Sequence, residues 1–201
     1  MILNGIIVKR ICADKRKQMA SLNERITAAA HKLFDEKGIQ HVTIDAIAAE
    51  AKTTKMGVYR HFETRDALIE NWLVATIERY RHALDQVELA YPDNPRAQLM
   101  AWANHIARGL HDISYRGCPF VNTIAEIADR KHPLRQRIEE HKIKQAKRIF
   151  EMCRNVGIVN PQLAAAEITF LLEGAQVSAQ NGSVHDIEDH IEEIMRNILS
   201  R

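Results

Sequence analysis

The sequence predicts an all-α protein of about nine helices, and three observations agree on that class. Apolar residues recur at three- and four-residue intervals along nearly the whole chain. No stretch alternates with period two and β-branched enrichment, and Gly, Pro, Asn and Thr stand where the helical pattern starts or stops. At 201 residues, with 46% hydrophobic and 27% charged side chains, the chain has the composition of a folded globular protein.

The first clear helix follows Ser21, which has capping-box spacing to Glu24. Ile26, Ala29, Ala30, Leu33 and Phe34 share one face, and Gly38 suits a left-handed stop, so the helix is predicted over Leu22 to Lys37. Thr43 then caps a short helix whose Ile44, Ile47, Ala48 and Ala51 share a face, with Asp45 well placed against the helix dipole. Thr53 or Thr54 caps a second short helix reaching Phe62, and Thr64 caps a much longer one carrying Leu68, Ile69, Trp72, Leu73, Ile77, Tyr80 and Leu84. The long helix ends before Tyr91-Pro92-Asp93-Asn94-Pro95.

Beyond that break, Leu99, Trp102, Ala103, Ile106 and Leu110 mark one helix, and Phe120 to Ala128 forms a short one after Arg116-Gly117-Cys118-Pro119. Pro133 opens a long helix that stops near Gly157, and Asn160-Pro161 pairs a cap with a first-turn proline. The helix after it is strongly apolar, with Ala164, Ala165, Ile168, Leu171, Leu172 and Ala175. After Asn181-Gly182 the last one carries Ile187, Ile191, Ile194, Ile198 and Leu199. No internal repeat or low-complexity tract interrupts the series.

Net charge is only +2, but it is unevenly placed. Residues 1 to 66 hold 12 Lys/Arg against 8 Asp/Glu, whereas residues 67 to 201 hold 16 against 18. An amino-terminal basic excess fits a region that meets phosphate. Cys12, Cys118 and Cys153 have no CxxC spacing and are odd in number, so neither a disulfide framework nor a zinc knuckle is expected, and a reducing cytoplasm fits. The apolar run Ile2 to Val8 is too short for a membrane span, and Lys9-Arg10 follows it, unlike a secretory signal. Ten histidines form no HxH or HxxxH pair, so no metal is expected. His111, Asp112 and Cys118 lie in one polar break with no oxyanion hole and no base held by a third group, so the sequence does not read as an enzyme and no cofactor is expected.

Three helices joined by short turns, the second and third each about two turns long, are the parts of a helix-turn-helix, in which the latter helix enters the major groove. From Ala51 to Phe62 there is no Asp or Glu, whereas Lys52, Lys55 and Arg60 are cationic and Thr53, Thr54, Tyr59 and His61 can donate to phosphate. A phosphate-facing helix wants that composition.

The run Thr43-Ile44-Asp45-Ala46-Ile47-Ala48, then Val58-Tyr59-Arg60-His61-Phe62, then Thr64-Arg65-Asp66-Ala67-Leu68, closely resembles the tetracycline-repressor (TetR) family over roughly Ile26 to Leu73. Residues 1–19 read as a basic extension from their own composition, and the resemblance implies a helix-turn-helix domain at 20–66 and a helical effector-binding and dimerisation domain at 67–201. It implies that Thr43 caps and touches phosphate, that Thr53, Thr54, Lys55, Met56 and Val58 approach base edges, and that Tyr59, His61 and Arg65 grip the backbone, with Lys52 a further cation. Ile47, Ala48, Val58 and Phe62 would also form core. Trp72, Trp102, His105, Cys118, Phe120 and Asn122 are candidate cavity residues, each equally well explained as packing. Gly174, Ala175, Ser178, Ala179, Ile187, Ile191, Ile194 and Ile198 are candidates for a two-fold interface of four helices.

The chain departs from the family pattern at the turn. Lys52-Thr53-Thr54 stand where Gly-Val-Ser is common, so Lys52 is expected in a left-handed backbone at roughly 1 kcal/mol relative to glycine. Met56 and Gly57 also replace smaller and helix-favouring residues, respectively. Lys9, Arg10, Lys15, Arg16 and Lys17 read either as an unstructured leader or as a minor-groove arm, and Met19 is a second candidate start. The expected function is a ligand-responsive repressor that binds a palindromic operator in double-stranded DNA as a homodimer. A small-molecule effector would release it, in the cytoplasm and nucleoid of a prokaryote, with no membrane partner. The competing expectation is a helical ligand-binding or scaffold protein that has lost DNA binding.

Overall fold

The computed structural model describes residues 21–110 and 116–201. The basic extension, the second candidate start at Met19, and His111 and Asp112 lie outside them. The described residues form nine helices and no strand: α1 Leu22–Lys37, α2 Ile44–Glu50, α3 Lys55–Tyr59, α4 Arg65–Ala90, α5 Pro95–Gly109, α6 Pro119–Glu126, α7 Pro133–Val156, α8 Pro161–Asn181 and α9 Ile187–Leu199. None of them is long and apolar enough to cross a membrane.

Local chemistry sets most of these limits. Ser21 and Glu24 bond reciprocally at the start of α1, the Ser21 N–H donating to Glu24 Oε2 (2.6 Å) and the Glu24 N–H to Ser21 Oγ (3.2 Å). Asn94 and Asn160 accept from the third residues of α5 and α8, each with proline at the first position. Gly157 closes α7 at φ +85°. The short α6 stops two residues before the expected Ala128. Ile127 turns extended and is buried, and Arg135 Nη1 donates to the carbonyls of Ile124 and Ile127 (3.0 and 2.7 Å), satisfying the end of the helix from outside it.

The chain divides into two compact units. One comprises the described residues up to Lys37 with His41–Trp72, and the other Gly38–Gln40 with Leu73–Arg201. The smaller unit thus reaches along α4 to Trp72, beyond the Asp66 limit expected from the motif. Its core holds Ile26, Ala30, Leu33 and Phe34 of α1, Ile44 and Ile47 of α2, Val58 of α3, and Leu68, Ile69 and Trp72 of α4, all buried. The Trp72 ring lies 5.8 Å from that of Phe34, and its Nε1–H donates to Asp35 Oδ1 at 2.8 Å, so this indole is committed within the smaller unit.

In the larger unit, α5 packs on α7 and α9, and α8 on α7 and α9. Leu84, Leu99, Trp102, Ile149, Met152, Cys153, Ile168, Leu172, Ile191, Met195 and Ile198 make one apolar core between them. Burial pushes the Cys153 thiol up to about 11, which leaves it an inert packing group at neutral pH.

Candidate nucleic-acid interface

The turn between α2 and α3 is built from backbone bonds that need a left-handed residue. After Ala51, the Lys52 N–H donates to Ala49 O (3.1 Å) and the Thr53 N–H to Ala48 O (2.9 Å), a pairing that satisfies two carbonyls at the end of α2. The geometry holds Lys52 at φ +52°. Two threonines then fix the helices themselves. Thr43 Oγ1 accepts from Ala46 N (3.2 Å) at the start of α2, and Thr54 Oγ1 from Gly57 N (3.1 Å) at the start of α3. Between the two threonines that could cap α3, the structure selects Thr54.

One face of this turn is open and cationic. Lys52, Thr54, Lys55, Met56, Tyr59, Arg60 and His61 are exposed, with the Met56 side chain left 66% in solvent. Thr43 is exposed beside them and Thr53 is half-buried. Lys55 Nζ lies 3.4 Å from Asp45 Oδ2, and both side chains are exposed, so the pair is weak and a phosphate can compete for the lysine.

Two expected contact residues turn inward. Val58 is fully buried, because α3 must close the core with one side chain and the position three residues after Lys55 faces α2, so it is withdrawn from base contact. Arg65 is half-buried and its Nε donates to Val42 O at 3.0 Å, tying the start of α4 to the segment before Thr43. Two features of the face escaped the sequence reading: Asp45 as the acid nearest Lys55, and Gly57 as a buried position against Thr53.

The candidate cavity residues do not converge. Trp72 belongs to the smaller unit's core, and Phe120 is fully buried in a ring cluster with Tyr80 (5.0 Å) and His141 (4.7 Å). Asn122 Nδ2 donates to Arg116 O at 2.6 Å, and His105 is an exposed ring stacked on Trp102. Trp102 and Cys118 do border one small space, of about 20 Å³, the size of a single water. A wider groove of about 360 Å³ runs between α4 and α7, with Val74, Ile77, Tyr80 and Leu84 on one side and His141, Lys144 and Arg148 on the other. His141 Nε2 is buried there without a hydrogen-bond partner among the described residues. Burial, then Lys142 and Lys144, push its ring down to about 4, so it is neutral at pH 7.

Of the candidate interface residues, Ala175, Ile191 and Ile198 are buried within the chain's own core, where α9 packs on α5 and α8, and are unavailable to a second copy. Ser178, Ala179 and Ile187 are half-buried, and Gly174 and Ile194 are exposed. The sequence reading missed Leu163, Phe170 and Val177, an exposed apolar stripe at seven-residue spacing on α8, with Phe170 at 72%.

Residues 26–71 match the model of bacterial regulatory proteins of the tetR family. An HTH-type transcriptional regulator of Staphylococcus aureus is 38% identical over 53 residues, a match that spans 26% of this chain and 29% of that relative. A TetR-family transcriptional regulator from Streptomyces coelicolor superimposes with a TM-score of 0.82 at 26% identity, over 89% of this chain and 94% of that one. The fold is also that of AibR in complex with isovaleryl coenzyme A and operator DNA, with a TM-score of 0.64 at 19% identity over 87% and 96% of the two chains. Residues 26–71 thus carry the amino-terminal domain pattern of the tetR family of bacterial regulatory proteins, and over nine-tenths of its length the chain is similar in fold to a TetR-family transcriptional regulator.

Proposed function

We propose that the protein is a ligand-responsive transcriptional regulator that binds duplex DNA as a homodimer. The observation that carries this reading is the exposed cationic face of the α2–α3 turn, where Lys52, Lys55, Arg60 and His61 surround Met56 and Tyr59 without a carboxylate between residues 51 and 62. Cations in this arrangement displace condensed counterions from phosphate, and the groove-facing helix then reads the bases. Two copies with recognition helices about 34 Å apart would read an approximate palindrome.

Support for the dimer comes from Leu163, Phe170, Val177 and Ile194, an apolar surface that a second copy would cover. The α4–α7 groove is our candidate for the effector site, since it combines an apolar wall with a buried His141 nitrogen that has no hydrogen-bond partner among the described residues. A ligand that favours a conformation with the wrong helix spacing would release DNA by its differential affinity for the two states, which is how repression would be relieved. AibR, solved with both operator DNA and an acyl coenzyme A, is a precedent for one fold holding both.

The test is retention of a fluorescent mixed-sequence duplex across a salt series from about 50 to 200 mM. Affinity should fall linearly on logarithmic axes, and Lys55→Ala should lower the slope by about 0.9 if the lysine meets phosphate. No retention at the lowest salt, or retention indifferent to salt, refutes the reading.

A further inference from the structure

We infer that Gly57 is a positioning residue for DNA sequence preference, acting through the hydroxyl of Thr53. This rests on the duplex-binding reading above. Glycine is among the weakest helix formers, yet it occupies the middle of a five-residue helix, Lys55–Tyr59, in which every residue matters for stability. Its buried Cα faces Thr53. A Cβ at position 57 would lie 2.4 Å from Thr53 Oγ1, far inside contact distance, and 3.5 Å from Thr53 Cβ and Thr54 Oγ1.

The two neighbouring threonines have different employment. Thr54 is pinned, because its Oγ1 accepts from the Gly57 N–H as the cap of α3. The Thr53 hydroxyl has no hydrogen-bond partner among the described residues, and the side chain is half-exposed beside Lys52, Lys55 and Met56. Its direction is set by packing alone. With glycine at 57, Oγ1 lies over the helix backbone. Any larger residue drives Thr53 into another staggered well and turns a donor-acceptor hydroxyl to a different part of the groove. A threonine hydroxyl and methyl are both groups that distinguish base edges, so the rotamer of Thr53 determines which base is favoured.

The experiment selects bound sequences from a randomised duplex pool with the full-length wild type, Gly57→Ala, Thr53→Ala and the double variant, with thermal melting of each. The expected result is that Gly57→Ala changes the preferred base at one position in each half-site, weakening the wild-type sequence roughly tenfold, while affinity for unrelated duplex is retained. On the Thr53→Ala background the same glycine substitution should leave the preference unchanged. Should Gly57→Ala melt too early to assay, the double variant, which removes the clashing hydroxyl, is expected to restore melting. An unaltered preference in Gly57→Ala overturns the inference. So does a shift that persists without the Thr53 hydroxyl, or a double variant as unstable as the single. Those results leave wild-type selection intact, whereas a wild type that selects no sequence refutes duplex reading and inference together.

Discussion

Replacing Lys52 by glycine separates two roles that the residue combines. Its backbone lies at φ +52°, where a side chain costs about 1–2 kcal/mol and glycine costs nothing sterically. Glycine also loses more freedom on folding, by about 0.5–1 kcal/mol, so the net gain from Lys52→Gly is about 1 kcal/mol. The bonds from the 52 and 53 amides to Ala49 and Ala48 remain, since both are backbone. For cooperative unfolding of a chain this long, that gain raises Tm by about 2–4 °C, measurable by circular dichroism. The same change removes an exposed cation from the side of the turn proposed to meet duplex. One phosphate contact fewer lowers the salt slope by about 0.9, so the affinity ratio between about 50 and 200 mM salt narrows by about 3.5-fold. Fluorescence anisotropy on one mixed-sequence duplex reads both salts. The variant is therefore expected to be more stable, weaker at low salt and less salt-sensitive. A lower Tm would refute the strain argument, and an unchanged slope would show that Lys52 faces solvent instead of phosphate.

Asp45→Asn frees Lys55 and removes the acid nearest it, so duplex affinity at low salt is expected to rise roughly three- to tenfold, at a stability cost of about 0.3–1 kcal/mol from the first turn of α2. An unchanged isotherm would show that the pair does not restrain the lysine. Phe170→Asp changes a 72% exposed side chain, so the fold of one chain should stay within about 0.5 kcal/mol. Dimer dissociation by sedimentation should worsen at least about 100-fold, and persistence of the dimer would remove the α8 stripe from the interface. His141 has a folded-state value near 4 against an ordinary 6.5. Its neutral form therefore stabilises fully above about pH 7, and about 2 kcal/mol is lost as pH falls to 5. Urea unfolding of wild type and His141→Phe should diverge over that window, the variant being flatter; parallel curves would contradict the burial argument.

What the order of residues decided alone was local. Ser21 with Glu24, Asn94 with Pro95, Asn160 with Pro161, and Gly157 act on backbone groups within a few positions of themselves, so α1, α5, α7 and α8 could be bounded before any packing was known. The left-handed Lys52 was legible from the resemblance instead, since lysine stands there where the family commonly has glycine. Tertiary structure decided which side of each helix looks inward, because neighbours that are distant in sequence set that orientation. Val58 went to the core, Arg65 to the Val42 carbonyl and Trp72 to Phe34 and Asp35. On α8 and α9, apolar residues of similar periodicity were sorted into an inner set with Ala175, Ile191 and Ile198 and an outer set with Phe170, Val177 and Ile194. Periodicity reports that a helix has an apolar stripe. When the stripe is wide enough for two partners, only the packed neighbours determine which part each one covers.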